Sequence, residues 1–239
     1  MCKKWVYSLS FILFSLAICV QADTGLVASY SFENDANDSS GNGLNGTLSV
    51  MGAGNAATFV AGQVGMAIDL LPASAGTIGP YVDCGADAMF DFTEALTVGA
   101  WVNIRDYVDN WRGIVAKGED AWRLMMDMGK YQVAIAGSAR GWPGAMGATV
   151  IGLNEWHYIC GTYDMNLEEA NGKIYVDGVV DGTLDDPDGI DKDTNPVWIG
   201  GDNGDTGWKP YRLFDGQIDE VRIYNRALSE AEIAFLGGQ

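Results

Sequence analysis

From Leu96 to Ile104 aliphatic side chains fall on every second residue. Leu96, Val98, Ala100, Val102 and Ile104 share one face, and Thr97, Gly99, Trp101 and Asn103 share the other. A period of two is the repeat of a strand, so this stretch predicts a sheet with its aliphatic face on a core. The rest of the chain keeps the same rhythm. Short apolar or alternating runs recur at Leu26 to Phe32, Ala67 to Leu71, Gly113 to Ala116, Trp122 to Met128, Tyr131 to Ala136, Glu155 to Tyr163, Lys173 to Val176, Val197 to Ile199 and Gln217 to Tyr224. Clusters of Gly, Asn and Asp separate them, which predicts an all-β fold of antiparallel strands. Asp177-Gly178, between Lys173 to Val176 and Val179-Val180, predicts a two-residue hairpin, because both turn positions need a positive φ. One helix is expected, at the C-terminus. Ser229 and Glu232 form a capping box, Leu228 and Ile233 a staple, and Ala231, Ala234 and Phe235 share a face that should plug one end or edge of the sandwich.

The first 22 residues read as a secretory leader: Lys3 and Lys4 precede the apolar run Leu9 to Val20, and Val20-Gln21-Ala22 offers a cleavage site. The run is too short for a comfortable span, and no other stretch approaches the roughly 20 apolar residues a bilayer crossing needs, so no membrane insertion is expected. The protein should be secreted, to the extracellular space or the periplasm. Lipidation at Cys19 is the minor alternative, disfavoured by the branched Ile18 before it. Residues 23–239 show no internal repeat and no linker, and form a single domain on this reading. They carry twelve basic and 32 acidic residues, a formal charge of −20, which makes nucleic acid and anionic membrane poor partners. Only Cys84 and Cys160 follow the leader, and with one histidine and no Cys-x-x-Cys a structural zinc site is excluded.

Several segments resemble the laminin-G-like jelly-roll family, a relative of the concanavalin A-like lectins and glucanases and of the pentraxins. They are Tyr30-Ser31-Phe32 leading into Ala36 to Gly43, then Leu96 to Val102, Glu155-Trp156-His157 to Asp164, Ile174 to Gly178, and Phe214 to Ser229, in the family's order. The resemblance implies a two-sheet antiparallel β-sandwich, a fold shared by binders and enzymes. It also makes calcium the expected cofactor. Asp38 and Asn42 in a Gly-rich turn and Asp219 on the last strand offer the mixed oxygen ligands a hard cation takes. The alternative is that Asp38 and Asn42 only make side-chain turns and Asp219 pairs with an arginine. A second set, Glu119, Asp120, Asp202, Asn203 and Asp205, resembles the ligand-bridging loops of pentraxin-like relatives but departs from them at Gly201 and Gly204. Asp185, Asp186, Asp188, Asp191 and Asp193 read as a solvated acidic loop. Cys160 stands where pentraxin-like chains carry half of a disulfide, the usual partner position being Gly99. Cys84 would have to substitute, so a bond between Cys84 and Cys160 is expected, with two separate thiols as the alternative.

Loop aromatics point to a ligand. Trp111, Trp142, Trp208 and Tyr211 lie among Gly, Pro, Arg and Asp, where their rings can stack on a pyranose while Arg112 and Arg140 bind its hydroxyls. The alternative is that they cover the ends of the sandwich. Trp156 and Trp198 read as core, and Trp101 is either covered or lines a groove. Glu33, Asp35 and Asp38 are the nearest approach to a glycosidase carboxylate array, but they sit in turn sequence, and His157 has no Ser or Cys nucleophile motif near it. The expectation is a secreted, non-catalytic carbohydrate-binding module whose partner is a glycan or polysaccharide. A domain that binds an extracellular protein is the alternative.

Overall fold

The computed structural model describes residues 24–72, 78–107, 111–118, 121–127, 130–134, 144–203 and 212–238. Its strands, in chain order, are β1 (Leu26–Tyr30), β2 (Thr47–Met51), β3 (Thr58–Ala61), β4 (Met66–Leu70), β5 (Gly79–Asp83), β6 (Ala95–Ile104), β7 (Arg112–Ala116), β8 (Arg123–Asp127), β9 (Lys130–Ala134), β10 (Gly144–Met146), β11 (Trp156–Asp164), β12 (Gly172–Val176), β13 (Val179–Leu184), β14 (Trp198–Ile199) and β15 (Gly216–Tyr224). One sheet has the order β13-β12-β11-β6-β15-β4-β3, with β1 also paired to β15; the other runs β10-β9-β8-β7-β14-β5-β2. All pairs are antiparallel, as the jelly-roll reading requires.

The aliphatic comb faces inward. Leu96, Val98, Ala100, Val102 and Ile104 of β6 are fully buried and meet Val82, Ile114, Val115, Leu124, Met126 and Ile199 of the opposite sheet in one continuous core. Trp122 closes one end of it, its indole N–H donating to the Phe90 carbonyl at 3.0 Å. The Asp177-Gly178 turn has φ of 50° and 80°, the hairpin geometry expected of that pair.

The C-terminal helix α1 (Glu230–Leu236) carries the full capping box: Ser229 Oγ accepts from the Glu232 amide and Glu232 accepts from the Ser229 amide. It does not plug an end of the sandwich. It lies on the outer face of the eight-stranded sheet, where Leu228, Ile233 and Leu236 join Trp101, Tyr158, Cys160, Tyr175 and Tyr224 in a second apolar cluster. Ala231 and Ala234 stay exposed, because Ile233 and Leu236 offer more apolar area to bury. Trp101 is therefore covered, tilted against Tyr158 with ring centroids 5.6 Å apart.

The expected disulfide is not formed: Cys84 and Cys160 are both free and buried. The reason is which face each thiol occupies. Cys84 belongs to the core between the sheets, whereas Cys160 pairs with Gly99 and points outward under α1. The eight-stranded sheet lies between the two clusters. Burial pushes the Cys84 thiol up to about 12, which suits a small apolar filler and not a reactive thiolate.

Near its middle β15 changes neighbour. Gly216 to Ile218 pair with β4, Val221 to Tyr224 pair with β1, and a bulge falls between Asp219 and Arg222. Phe32, Asn34 and Glu220 around this fork have φ of 54°, 68° and 48°, a left-handed backbone that costs a non-glycine residue about 1 kcal/mol or more.

Candidate functional site on the seven-stranded sheet

Alternation divides the seven-stranded sheet as cleanly as β6. Leu124 and Met126 face the core, so Arg123, Met125 and Asp127 face outward; Val82 and Ile199 face inward, so Tyr81, Asp83 and Trp198 face outward. The outward residues are nevertheless buried, with Tyr81 and Trp198 only 9% and 6% exposed. Their rings lie 3.9 Å apart at 30°, packed with Leu213 and flanked by Met51.

What covers this face is the chain itself. The Gly113 amide donates to the Arg212 carbonyl at 2.9 Å, and the Phe214 amide donates to the Gly200 carbonyl at 2.9 Å, so both ends of the 200–214 excursion cross the sheet at β7. A Cβ on Gly113 would lie 2.4 Å from the Gly201 carbonyl oxygen, so only glycine admits that crossing.

An ion triad anchors the crossing. Asp202 is fully buried, and its Oδ2 accepts from Arg212 Nη1 at 2.9 Å and from Arg123 Nη1 at 3.4 Å. Arg212 has a left-handed φ of 36°. Arg112, 1% exposed, donates Nη1 to the Leu213 carbonyl at 2.6 Å and sets Nη2 3.7 Å from Asp106. Two buried oxygens on this side accept nothing: Oδ1 of Asp127 and Oδ1 of Asn203. An ion triad, an aromatic pair and buried polar atoms thus lie together on this face, beside residues 200–203 and 212–214 that cross it.

Of the aromatic residues expected to bind ligand, Trp111 is half-buried beside β7, next to Arg112. Trp142, Trp208, Tyr211 and Arg140 lie outside the described residues, as do Glu119, Asp120 and Asp205. Asp202 and Asn203 were expected as cation ligands. Asp202 is instead engaged by two guanidiniums, which leaves it poorly placed to take a metal. The alternation of the sequence alone does not single out Tyr81, Arg123, Asp127 or Arg212, and Trp198, expected as core, is buried but on the outer face.

The terminus-tying set is also divided. Asp38 Oδ1 accepts from the Ser29 and Ser40 amides at 3.0 and 2.9 Å, and Oδ2 accepts from Ser40 Oγ and the Leu44 amide at 2.8 and 3.0 Å. Burial pushes this carboxyl up, but those donors outweigh it and hold it below its ordinary value. Asn42 spends its amide nitrogen on the Leu26 and Val27 carbonyls. Both act as turn-makers. Asp219 is different: fully buried at the fork, it accepts from the Val64 and Glu220 amides at 2.9 and 2.7 Å and forms no ion pair with a described side chain. Glu33, three residues beyond β1, reaches the same 62–65 turn and accepts from the Met66 amide at 3.0 Å. Among the described residues no three His, Cys, Asp or Glu side chains gather as a metal site.

The acidic loop is held by a lysine. Lys117, 1% exposed, donates to the Asp193 and Asn195 carbonyls at 2.7 and 3.1 Å and pairs with Asp91 at 3.0 Å. His157 bonds Asp177 through Nδ1 at 2.8 Å, and Asp177 also accepts from the Tyr158 amide, which fixes the hairpin. A separate open crevice of about 440 Å³ at one end of the sandwich is lined by Asp91, Thr93, Glu94, Asp164, Asn166 and Asn225 among others. Thr93, Glu94, Asn166 and Asn225 there are exposed, so water competes for each polar contact.

The family model described as concanavalin A-like lectin/glucanases superfamily matches residues 75–234. The chain belongs to that superfamily. No curated protein matches the sequence closely enough to count as a relative. Among solved structures, domain 4 of AbnA, an extracellular arabinanase from Geobacillus stearothermophilus in complex with arabinotriose, is 25% identical, with a TM-score of 0.66 over 89% of this chain and 98% of that one. The binding domain of Paraclostridial mosquitocidal protein 1 is 20% identical, with a TM-score of 0.68 over 90% of this chain and 52% of that chain. The binding domain of botulinum neurotoxin DC in complex with SialylT is 16% identical, with a TM-score of 0.63 over 91% of this chain and 52% of that chain. This chain thus spans about half the length of the two toxin domains. No helix among the described residues is long and apolar enough to cross a membrane.

Proposed function

We propose that this superfamily member is a non-catalytic carbohydrate-binding module, exported from the cell, that receives a glycan or polysaccharide on the outer face of its seven-stranded sheet. One observation carries the reading: the Tyr81 and Trp198 pair and the Arg123, Asp202 and Arg212 triad lie together on that face, buried but not part of the core. Apolar ring faces with oriented polar groups are what a sugar's alternating CH and OH surfaces need. The arabinotriose complex of the AbnA domain supports it. The absence of a catalytic role is supported by where the candidate carboxylates are spent: Glu33, Asp35 and Asp38 all accept backbone amides in turns. Export rests on the leader, Lys3 to Ala22.

The test is isothermal titration of residues 23–239 with arabinotriose, alongside a glycan array. Trp198→Phe, which keeps an aromatic filler but shortens the ring, should weaken the strongest array ligand by roughly 10-fold while lowering the unfolding temperature by only about 2–6 °C, so that the domain stays folded in the titration. Unchanged affinity in that variant would move the site elsewhere, and release of reducing ends from any bound polysaccharide would overturn the non-catalytic assignment.

Calcium, as part of this proposal, belongs at the β15 fork. A buried carboxylate there forms no ion pair with a described side chain, a second carboxylate grips the same turn, and strained backbone lies around both. Asp219 and Glu33 would hold the ion and tie the first and last strands together. Asp38 and Asn42 fit less well, since their polar atoms are already engaged.

A protein-binding reading is favoured by a different surface. Val179, Val150, Met146 and Val180 are 69%, 58%, 40% and 38% exposed, and Asp181 joins their segments by accepting from Thr149. β13 ends the eight-stranded sheet, and an apolar edge strand can pair with another chain. On that reading Val179→Lys abolishes adhesion to the partner and leaves glycan titrations untouched.

A further inference from the structure

One stretch of this chain, whose formal charge is −18, is almost free of charge. Ser39 to Ile68 contains no Asp, Glu, Lys or Arg, and Asp69, bonded to Arg105, is the only such residue from there to Val82. The stretch supplies β2 to β5, and with them one lateral edge of the sandwich. A Cβ on Gly182 of β13 would lie 2.1 Å from the Met146 carbonyl oxygen of β10, so β13 and β10 share one edge, and β2 and β3, at the other ends of the two sheets, share the opposite one. Asp181 puts a charge on the first edge, and its carbonyl accepts from the Ala148 amide at 3.2 Å. The second edge is bare. No described strand pairs with β2 beyond β5 or with β3 beyond β4, both ladders run without a bulge, and neither strand holds a charge or a proline. Charges, prolines and bulges are what keep edge strands from pairing with other chains.

This edge also leaves inward-facing residues uncovered. Leu48 and Val50 of β2 lie opposite Val82 and Pro80 of β5, and Val82 belongs to the core, so both point between the sheets. They are nevertheless 43% and 40% exposed. Phe59 of β3, opposite the core residue Ile68, is only half-buried. We propose that a second copy of this chain covers the edge, pairing its β2 antiparallel with β2 about a two-fold axis through Ser49. In Thr47-Leu48-Ser49-Val50-Met51 that register puts Leu48 opposite Val50 of the other copy, Val50 opposite its Leu48 and Ser49 opposite itself, so four aliphatic side chains meet on the face where they are exposed. Charge selects the occupant. Two acidic copies repel at most of their surface, and the stretch from Ser39 to Ile68 is where they approach with least repulsion. Two five-residue strands bury less than a standard interface, so association is expected at roughly 10–100 µM. Where the carbohydrate reading holds, two linked sites raise avidity for a repeating polysaccharide without a new contact.

The test needs no glycan: sedimentation equilibrium of the secreted chain from about 5 to about 200 µM, spanning the expected range, at low and at high salt. The average mass should rise from that of one chain towards that of two, and at least as far at high salt, because screening removes repulsion between acidic copies. Val50→Lys should weaken association by roughly 10-fold or more, with the unfolding temperature within about 2 °C of the parent, since its ammonium reaches solvent in the single chain. Ser49→Cys should form a disulfide-linked dimer in air, to which the buried Cys84 and Cys160 do not contribute. Thr47→Cys should not, because in this register its two copies lie too far apart for a disulfide. A single-chain mass throughout overturns the proposal, as does association that Val179→Lys on the opposite edge weakens and Val50→Lys does not. Equal cross-linking at positions 47 and 49 overturns the strand pairing.

Discussion

Replacing Asp202 by alanine should lower the unfolding temperature by roughly 10 °C, a larger effect than removing any surface charge of this chain. The carboxylate is fully buried and receives Arg212 at 2.9 Å and Arg123 at 3.4 Å, so its loss leaves two adjacent guanidiniums, 8% and 4% exposed, without the charge they share. Breaking a buried ion pair by removing one partner costs about 3–5 kcal/mol, and each kcal/mol shifts the midpoint of a domain this size by about 2–4 °C. Thermal unfolding followed by far-ultraviolet circular dichroism checks it. The companion variant replaces all three residues with apolar ones, Asp202→Leu, Arg123→Met and Arg212→Met. Stability should largely return, because buried pairs exchanged for well-packed apolar groups are often neutral. Glycan binding should not return, because the triad pins the 200–203 segment across Gly113 and sets Asn203 over the sheet. A melting temperature unmoved by Asp202→Ala would mean that the carboxylate is solvated and the face is not closed as described.

How much of this was legible beforehand follows from the physics of each element. β6, β11, β12 and β15 are central or half-covered strands, and their alternation reads directly off the sequence. β2 and β3 end their sheets, expose both faces in part and carry no clean alternation, while β5 contains Pro80, which argues against a central strand. β5 tolerates it where β14 is only two residues long and reaches no further than Asp83 and Val82. A strand tryptophan is expected in the interior, and Trp198 is buried. Its ring, however, lies on the outer face under a crossing segment that no local pattern announces. Asp202 is expected as a cation ligand on the likeness to pentraxin-like ligand-bridging loops. Its actual partner Arg123 lies 79 residues away, so the ion triad exists only once β8 and the 200–203 segment are brought together. Asp38 and Asn42 behave as their turn chemistry alone would dictate, whereas Asp219 has no arginine partner among the described residues and accepts from backbone amides at the fork instead. The thiol pairing failed for a related reason: alternation assigns Cys160 to the helix-covered face, but nothing local to Cys84 tells which side of which sheet it will meet.

In the absence of calcium the domain should lose stability as pH rises from about 4 to about 6, the reverse of the usual behaviour of a paired carboxylate. Burial pushes the Asp219 carboxyl up to about 6, against 3.8 for an unperturbed aspartate, more than the Val64 and Glu220 amides can offset. Below pH 4 the group is protonated in both the folded and unfolded chain and contributes nothing to the slope. Between the two values the unfolded chain releases its proton while the folded chain retains it, so stability falls, and the loss is complete above pH 6. Two units correspond to about 3 kcal/mol, comparable to the expected effect at Asp202. Asp38 and Glu232 have lowered values and work in the opposite sense, but only at more acidic pH, where their protonation removes stability. Urea unfolding of chelator-stripped protein at half-unit steps from pH 3.5 to 7.5 would reveal the decline, and Asp219→Asn should flatten it. Calcium added at pH 7 should restore the missing stability in the parent chain and do nothing for the variant, since an ion that binds only the folded state stabilises by mass action. A flat profile in the stripped parent would show that Asp219 ionises at no cost. A calcium response that persists in Asp219→Asn would assign the ion to carboxylates away from the fork and separate metal binding from the joining of the first and last strands.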